Sequence, residues 1–305
     1  MTALRSSLTE YLALRRAFGF KMDRGQYLLS SFVEFMELRR RAVITIALAV
    51  EWAKQPADAH PSWWSQKLSA VRVFARHLQV SDSRHAIPGI DLLPRGRLRS
   101  TPFLYSAAEI RRLLFATRSM RSPFQARTYE ALFGLLAATG MRVGEAIRLD
   151  QADVEWSHAL LVVRNTKFGK SREVVLHPSV IGALRRYAKE RDRVHPRPRS
   201  KSFFVSLRGT RLIYNVVHRA FPQLLRIASI SAKRRPRIHD LRHAFAVRVL
   251  LHWYRDGVDV DARMPTLSTY LGHADPSSTY WYLTASPELM ALAARKLERS
   301  LKELP

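Results

Sequence analysis

The chain has 305 residues and carries 51 lysines and arginines against 25 aspartates and glutamates, a formal net charge of +26. That charge favours a polyanionic partner, and nucleic acid is the leading candidate; the plainer explanation is a generally arginine-rich proteome. At 47% hydrophobic residues the chain can bury a core, which excludes a disordered basic tail. The absence of cysteine excludes disulfides, thiolate metal sites and cysteine nucleophiles.

The sequence offers no membrane or export signal. Its most apolar run, residues 42–50, is far shorter than the ~20 residues that a membrane helix needs. The first residues lack the apolar stretch of a signal peptide. We therefore expect a soluble, cytoplasmic protein. Residues 1–100 hold 16 basic and 8 acidic residues, so both parts of the chain carry excess positive charge for a phosphate backbone.

Residues 1–93 predict a small bundle of four helices, because apolar residues recur there at helical spacing and prolines 56 and 61 separate the last two segments. The first two stripes are Leu8, Tyr11, Leu12 and Leu14, and Leu28, Leu29, Phe32, Phe35 and Met36. Residues 94–103 predict a linker, since prolines stand near both ends and no periodicity is present. Its basic residues, which could lie along DNA, are Arg95, Arg97 and Arg99.

Residues 104–305 predict a second domain that is mostly α with a small antiparallel sheet. A capping box at Ser106 and Glu109 begins its first helix. Residues 131–149 are apolar and helix-like, with a break at Thr139-Gly140. Two short β-branched runs, 160–163 and 174–176, predict neighbouring strands. Further helices are predicted at 179–192, 213–229, 240–254 and 287–302.

Two arginines follow breaks or helix starts in this domain and could hold a phosphate diester. In the transition state of phosphoryl transfer, negative charge spreads over the non-bridging oxygens. An arginine guanidinium can donate two parallel hydrogen bonds to those oxygens. Arg142 follows Thr139-Gly140, with Glu145 three residues later to orient it; an ordinary helical ion pair explains that spacing equally well. Arg242 shares a helix face with His239, downstream of a basic run that includes Lys233, Arg234 and Arg235.

A tyrosine completes the set, because a phenolate can attack a phosphate without a metal. A free tyrosine has a pKa of ~10 and needs a base or a cationic field to react near neutral pH. Tyr280 and Tyr282 both follow Leu271-Gly272-His273. Spacing alone does not choose between them, and either could be a packing residue.

In this order the motifs resemble the tyrosine recombinase (phage integrase) family. They are Thr139-Gly140-Met141-Arg142-Val143-Gly144-Glu145, His239-Asp240-Leu241-Arg242-His243, and Leu271-Gly272-His273 followed nine residues later by Tyr282. The resemblance covers nearly the whole chain and selects Tyr282 over Tyr280. It implies a helical, SAM-like core-binding domain at 1–93 and a catalytic domain at 104–305. The ending Tyr282-Leu283-Thr284 departs from the Tyr-x-His of many members.

The resemblance also implies the roles of individual residues. Tyr282 would form a 3′-phosphotyrosine, while Arg142, Arg242 and His273 bind the phosphate oxygens and His239 accepts the tyrosine proton. Glu145 would hold Arg142 in place. A hairpin lysine would protonate the leaving 5′-oxygen, and Lys167 fits better than Lys170; Lys170 and Arg172 would then contact DNA. No metal or other cofactor is expected.

The resemblance further implies double-stranded DNA as partner and a homotetramer on paired sites, with a second recombinase as an open possibility. The last helix could dock in its own domain or on a neighbouring protomer. No arm-site-binding domain is expected ahead of residue 1. Two other functions stay open: DNA relaxation of the type IB topoisomerase kind, and a recombinase-like regulator that binds DNA without cutting. The presence of every catalytic residue disfavours the regulator.

Overall fold

The computed structural model describes residues 2–94, 101–164, 171–197, 199–273, 275–284 and 286–302. The chain divides into two compact units, residues 1–100 and residues 101–305. Several residues singled out above lie outside the described residues: Arg95, Arg97, Arg99, Lys167 and Lys170.

The first unit is a bundle of four helices around one apolar core, as the sequence predicted. The helices are α1 (Ala3–Ala17), α2 (Asp23–Leu38), α3 (Ile46–Ala53) and α4 (Pro61–Gln79). Phe32, Met36 and Phe74 are fully buried at its centre. The predicted stripes are largely confirmed, but Leu14 is 44% exposed because it lies on the solvent side of α1.

The second unit combines helices with a small sheet. Its helices are α5 (Ala107–Ala116), α6 (Pro123–Thr139), α7 (Val143–Arg148), α8 (Pro178–Val194), α9 (Tyr214–Ile227), α10 (Asp240–Arg255), α11 (Val260–Leu271), α12 (Ser277–Tyr280) and α13 (Pro287–Lys302). The predicted capping box is present, since Ser106 accepts from the Glu109 amide and Glu109 from the Ser106 amide. A single turn of 3₁₀ helix, Trp281–Thr284, follows α12.

The sheet contains three antiparallel strands in the order β1 (Val154–Glu155), β2 (Leu160–Val163) and β3 (Arg172–Val175). In its register Leu161 pairs with Val174, and both side chains are buried, whereas Val175 is 66% exposed. The predicted strand pair is therefore confirmed. The chain is mainly α, with an α+β second unit.

The second unit has two apolar clusters. The larger one joins α5, α6, α8, α9 and the sheet. The smaller one joins α10 and α11 to Tyr282 and to Leu289 of α13, which is fully buried. The last helix therefore packs on its own domain in this structure. None of the described helices is long and apolar enough to cross a membrane.

Candidate active site

Two glycines end the helices that build the site. Gly140 (φ 62°) terminates α6 and Gly272 (φ 70°) terminates α11, both in the left-handed conformation that glycine adopts without strain. Arg242 of α10 donates from Nη1 to the Gly140 carbonyl and from Nη2 to the Leu271 carbonyl, both at 2.9 Å. Helix-terminal carbonyls carry partial negative charge, so they suit a cation. One guanidinium thus joins both helix ends.

The Arg242 side chain lies in the interior of the unit, and the residue is only 2% exposed. Burial and, to a smaller extent, the charge of Arg142 lower the pKa of this guanidinium, Tyr282 and Glu145 oppose them, and the net pKa is about 10. A side-chain hydrogen bond joins Arg242 to Tyr282. With a pKa near 10, Arg242 stays charged at neutral pH beside the phenol.

Arg142 stands immediately before α7 and is fastened to Glu145. Its backbone N–H donates to Glu145 Oε2 (3.0 Å) and its Nη1 to Oε1 (2.8 Å). Its Nη2 donates to the Gly272 carbonyl (3.1 Å), next to the carbonyl held by Arg242. The Arg142 side chain keeps 37% of its surface exposed, so part of the fork faces solvent.

Arg172, at the start of β3, reaches the same carboxylate. It donates from Nη2 to Glu145 Oε2 (2.8 Å) and from Nη1 to Oε1 (3.3 Å). Burial alone raises the pKa of Glu145, but hydrogen bonds and charges from Arg172 and Arg142 outweigh it and bring the pKa to about 2. The Arg172 side chain is 9% exposed. The surface role that the sequence suggested for Arg172 therefore does not match its place in the interior.

Tyr282 lies in the 3₁₀ turn and is 2% exposed, whereas Tyr280, two residues earlier, is 45% exposed. The Tyr282 ring lies nearly parallel to the imidazole of His273, with centroids 5.9 Å apart. The edge of His243 meets it from another side at 5.5 Å. Only one of the two tyrosines that the spacing allowed therefore lies among the arginines and histidines.

His273 follows Gly272 and is oriented by Thr279. Its Nδ1 lies 2.6 Å from Thr279 Oγ1, and Thr279 is itself buried. Burial, followed by the charges of Arg242 and Arg142, lowers the pKa of His273 to about 3. The ring is therefore neutral near pH 7, with Nδ1 engaged by a hydroxyl.

His239 precedes α10 and keeps an exposed edge. The residues around it still exclude water from the ring, and this burial, together with the charges of Arg242 and Arg237, lowers its pKa to about 4. Asp240 caps the preceding turn, accepting from the Arg237 amide at 2.8 Å. The ring of His243 contacts His239 (4.8 Å) as well as Tyr282.

The basic residues before α10 lie at or near the surface. Lys233 and Arg235 line an open groove together with Arg226. Arg234 is half-buried and donates from Nη1 to the Thr101 carbonyl (3.1 Å). Lys233 and Arg235 thus present charge to solvent, whereas Arg234 also fastens this segment to the beginning of the unit.

Sequence reasoning missed Thr279 and His243 as residues of the site, and it gave Arg172 a different role. Thr279 orients His273, His243 packs on Tyr282, and Arg172 holds Glu145 from β3. His243 stood inside a quoted motif, which could have drawn attention to it. Nothing in the local spacing of Thr279 or Arg172 indicates the residues that they contact.

Comparison with known proteins places these motifs in one family. The family model described as "Phage integrase family" matches residues 104–288. A Sinorhizobium fredii protein named "Putative integrase/recombinase y4rB" is 43% identical, over 98% of this chain and 98% of its own length. Tyrosine recombinase XerD of Lacticaseibacillus casei is 30% identical, over 77% of this chain and 76% of its own.

Two solved structures support the fold. The Tn1549 transposon integrase in complex with transposon right end DNA superposes with a TM-score of 0.68 at 16% identity, covering 96% of this chain and 98% of that one. A lambda integrase tetramer bound to a Holliday junction gives a TM-score of 0.61 at 16% identity, covering 92% of this chain and 76% of that one. From its motifs, the family-model match and its relatives, the chain belongs to the phage integrase family, the tyrosine recombinases.

Proposed function

We propose that this protein is a site-specific DNA recombinase that cleaves and rejoins strands through a 3′-phosphotyrosine. The observation that carries the proposal is the burial of Tyr282 against Arg242 and His273, while Tyr280 stays exposed. A phenol bonded to a permanent cation is favoured in its phenolate form, which is the nucleophile. The arrangement thus supports the nucleophile that the motif spacing selects.

In the proposed reaction the Tyr282 oxygen forms a bond to phosphorus, and the bond from phosphorus to the 5′-oxygen breaks. Arg142, Arg242 and His273 hold the non-bridging oxygens, where charge develops. Arg142 suits this role because two of its five N–H bonds point to Glu145 and Gly272, and part of its fork is exposed. The covalent intermediate conserves the bond energy, so attack by a 5′-hydroxyl reverses the step and joins strands.

Proton transfer completes the balance. His239 takes the phenolic proton, and Lys167, which lies outside the described residues, delivers a proton to the leaving 5′-oxygen. Burial and then the surrounding arginines lower the pKa of His239, so the ring is neutral and able to accept a proton. A bound phosphate would offset those positive charges and raise the pKa of His239, which makes it a stronger base when DNA is in place. Catalytic hydrogen bonds commonly tighten only in the substrate complex.

We propose further that both units contact duplex DNA: residues 1–93 as a core-binding domain, 94–103 as a basic linker and 104–305 as the catalytic domain. The net charge of +26 and the exposed Lys233 and Arg235 support this, and related structures are complexes with DNA. Paired strand exchange requires four protomers on two sites, and lambda integrase forms such a tetramer on a Holliday junction. The reaction would take place in the cytoplasm, where such a DNA substrate would lie.

The test uses supercoiled plasmid that carries the DNA flanking the gene. Wild type, Tyr282→Phe and Tyr280→Phe are compared for SDS-resistant protein–DNA adducts and for recombined products. We expect the adduct to disappear in Tyr282→Phe alone; Tyr280→Phe is the matched control, with the same atom removed two residues away. Loss only in Tyr280→Phe contradicts the assignment. Relaxed topoisomers without strand exchange indicate topoisomerase activity, and salt-sensitive binding without adducts indicates a regulator.

A further inference from the structure

We propose that Arg172 is a positioning residue for the reaction: it fixes the Glu145 carboxylate and the Gly272 turn, and through both it fixes the fork of Arg142. The inference rests on the proposed function for its consequence in catalysis. Its structural part concerns the Glu145 carboxylate and the Gly272 turn, and it is open to measurement without any reaction.

The first observation is that four donors surround the Glu145 carboxylate. Oε1 accepts from Nη1 of Arg142 and Nη1 of Arg172, and Oε2 accepts from the Arg142 amide and Nη2 of Arg172. An ionised carboxylate offers about four acceptor positions, so this one is fully used. Without Arg172 both oxygens lose one donor, and Arg142 alone holds the carboxylate.

The second observation concerns the other anchor of Arg142, the Gly272 carbonyl. Arg172 Nε donates to the Tyr270 carbonyl (2.9 Å), two residues before Gly272. The Tyr270 hydroxyl returns a hydrogen bond to the Val175 carbonyl of β3 (3.2 Å). β3 is therefore fastened to the end of α11 at two points, and Arg172 contacts the peptide segment from which the Arg142 partner comes.

The third observation is the close approach of Arg172 to Gly272. A Cβ built on Gly272 lies 2.5 Å from Arg172 Nη1 and 2.8 Å from its Cζ. The guanidinium therefore lies directly against this glycine, between the turn and Glu145. Arg172 contacts both groups that orient Arg142. Its effect on the phosphate would be indirect, through the placement of the Arg142 fork.

Two simpler roles make different predictions. An arginine that contacts DNA needs exposed N–H groups, but this side chain is 9% exposed and its nitrogens already donate to Glu145 and Tyr270. An arginine that only stabilises the fold would change the melting temperature, and with it the Glu145 pKa, without changing the adduct rate on bound DNA. These differences define the experiment.

The experiment compares Arg172→Met and Arg172→Lys with Arg193→Met. Arg193 is the matched control, because it also makes bidentate hydrogen bonds to a glutamate, Glu190 (2.7 and 3.0 Å), while its side chain is 71% exposed. Each full-length variant is measured for DNA affinity, for the rate of Tyr282 adduct formation at saturating DNA, and for melting temperature. Carboxyl ¹³C NMR follows the protonation of Glu145, assigned with Glu145→Gln.

For Arg172→Met we expect the adduct rate to fall roughly a hundred-fold, the cost of misplacing a positioned group by about 1 Å. DNA affinity should change by less than about threefold, because no phosphate contact is lost. The Glu145 pKa should rise above its value in wild type, since the charges that face this carboxylate are then Arg142 and, further off, Arg242. For Arg172→Lys we expect an adduct rate and a Glu145 pKa between those of wild type and Arg172→Met, because lysine keeps the positive charge but lacks the planar pair of donors. Arg193→Met should match wild type throughout.

Two results overturn the inference. One is weaker DNA binding with an unchanged rate at saturation, which makes Arg172 a DNA contact. The other is a lower melting temperature with an unchanged adduct rate at saturating DNA, which makes Arg172 a stabilising residue. If wild type forms no Tyr282-dependent adduct, the proposed function fails. The ¹⁵N NMR signals of the Arg142 guanidinium then decide: signals unchanged from wild type in Arg172→Met overturn the inference, and shifted signals support it.

Discussion

Alanine at Gly272 should damage the protein far more than alanine at Gly257. Both glycines have φ of +70°, so an added side chain carries the same backbone cost at each. The surroundings differ. Nothing lies within 4 Å of a Cβ at Gly257, whereas a Cβ at Gly272 meets the Arg172 guanidinium at 2.5 Å. Gly257→Ala is thus a control matched in conformation and in the atom added.

The magnitudes follow from these contacts. An L-residue in the left-handed region costs about 1–2 kcal/mol, which is the whole effect expected for Gly257→Ala. At Gly272 the guanidinium must also move. It lies at the end of a flexible side chain, but hydrogen bonds to Glu145 and Tyr270 hold it. Breaking a buried ion pair costs about 3–5 kcal/mol, so we expect roughly 3 kcal/mol of additional destabilisation.

Scanning calorimetry of the full chain provides the assay, because it can follow the unfolding of the second unit, residues 101–305. An additional 3 kcal/mol corresponds to a melting temperature lower by about 6–12 °C for a unit of this size. The Gly272→Ala variant should also lose adduct formation that Gly257→Ala retains. Equal melting temperatures for the two variants would refute the proposed contact between Arg172 and the Gly272 turn.

Three further outcomes are expected. Because burial, then nearby positive charges, lower the pKa of His239 and His243 to about 4 and of His273 to about 3, the unfolded chain binds more protons below pH 6.5. The free energy of unfolding should therefore fall as pH drops from 6.5 to about 4; a rise in urea titrations contradicts those pKa values. Leu289→Ala should cost about 2–5 kcal/mol and Met290→Ala, at an exposed position, almost nothing; equal urea midpoints contradict the packing of α13. The logarithm of the DNA association constant, measured by filter binding, should fall linearly with the logarithm of the salt concentration. An association constant that does not change with salt contradicts contacts to the phosphate backbone.

The helices were predictable wherever apolar periodicity was long and uninterrupted. The four helices predicted within residues 1–93 are present, and α8, α9, α10 and α13 fall within a few residues of their predicted ranges. Residues 260–271 carried no predicted element, although Val260, Met264, Leu267 and Leu271 are all buried at helical spacing. Pro265 interrupts that pattern, because proline cannot donate a helical hydrogen bond. β1 has two residues, too few for a periodic signal.

The choice between Tyr280 and Tyr282 shows a second limit of the sequence. Tyr280 ends α12, and Tyr282 belongs to the 3₁₀ turn that follows. A 3₁₀ helix has about three residues per turn, so side chains two residues apart point in different directions. Only one tyrosine can then face His273. The order of the motifs selected Tyr282. The direction of each side chain, however, depends on the 3₁₀ turn, and the sequence around Trp281 does not predict that turn type.

Arg172 shows a third limit. The spacing of Arg142 and Glu145 predicts an ion pair because residues three apart on a helix are neighbours, and that pair is present at 2.8 Å. Arg172 shares the same carboxylate from 27 positions away, a contact set by the register of β3 against the end of α11. In a chain with a net charge of +26, Arg172, which follows Lys167 and Lys170, cannot be told apart by sequence from the many surface cations. What distinguishes it is the carboxylate it contacts. A buried glutamate needs cationic partners on both oxygens, so in such basic chains the search for positioning arginines should begin from the few buried acids.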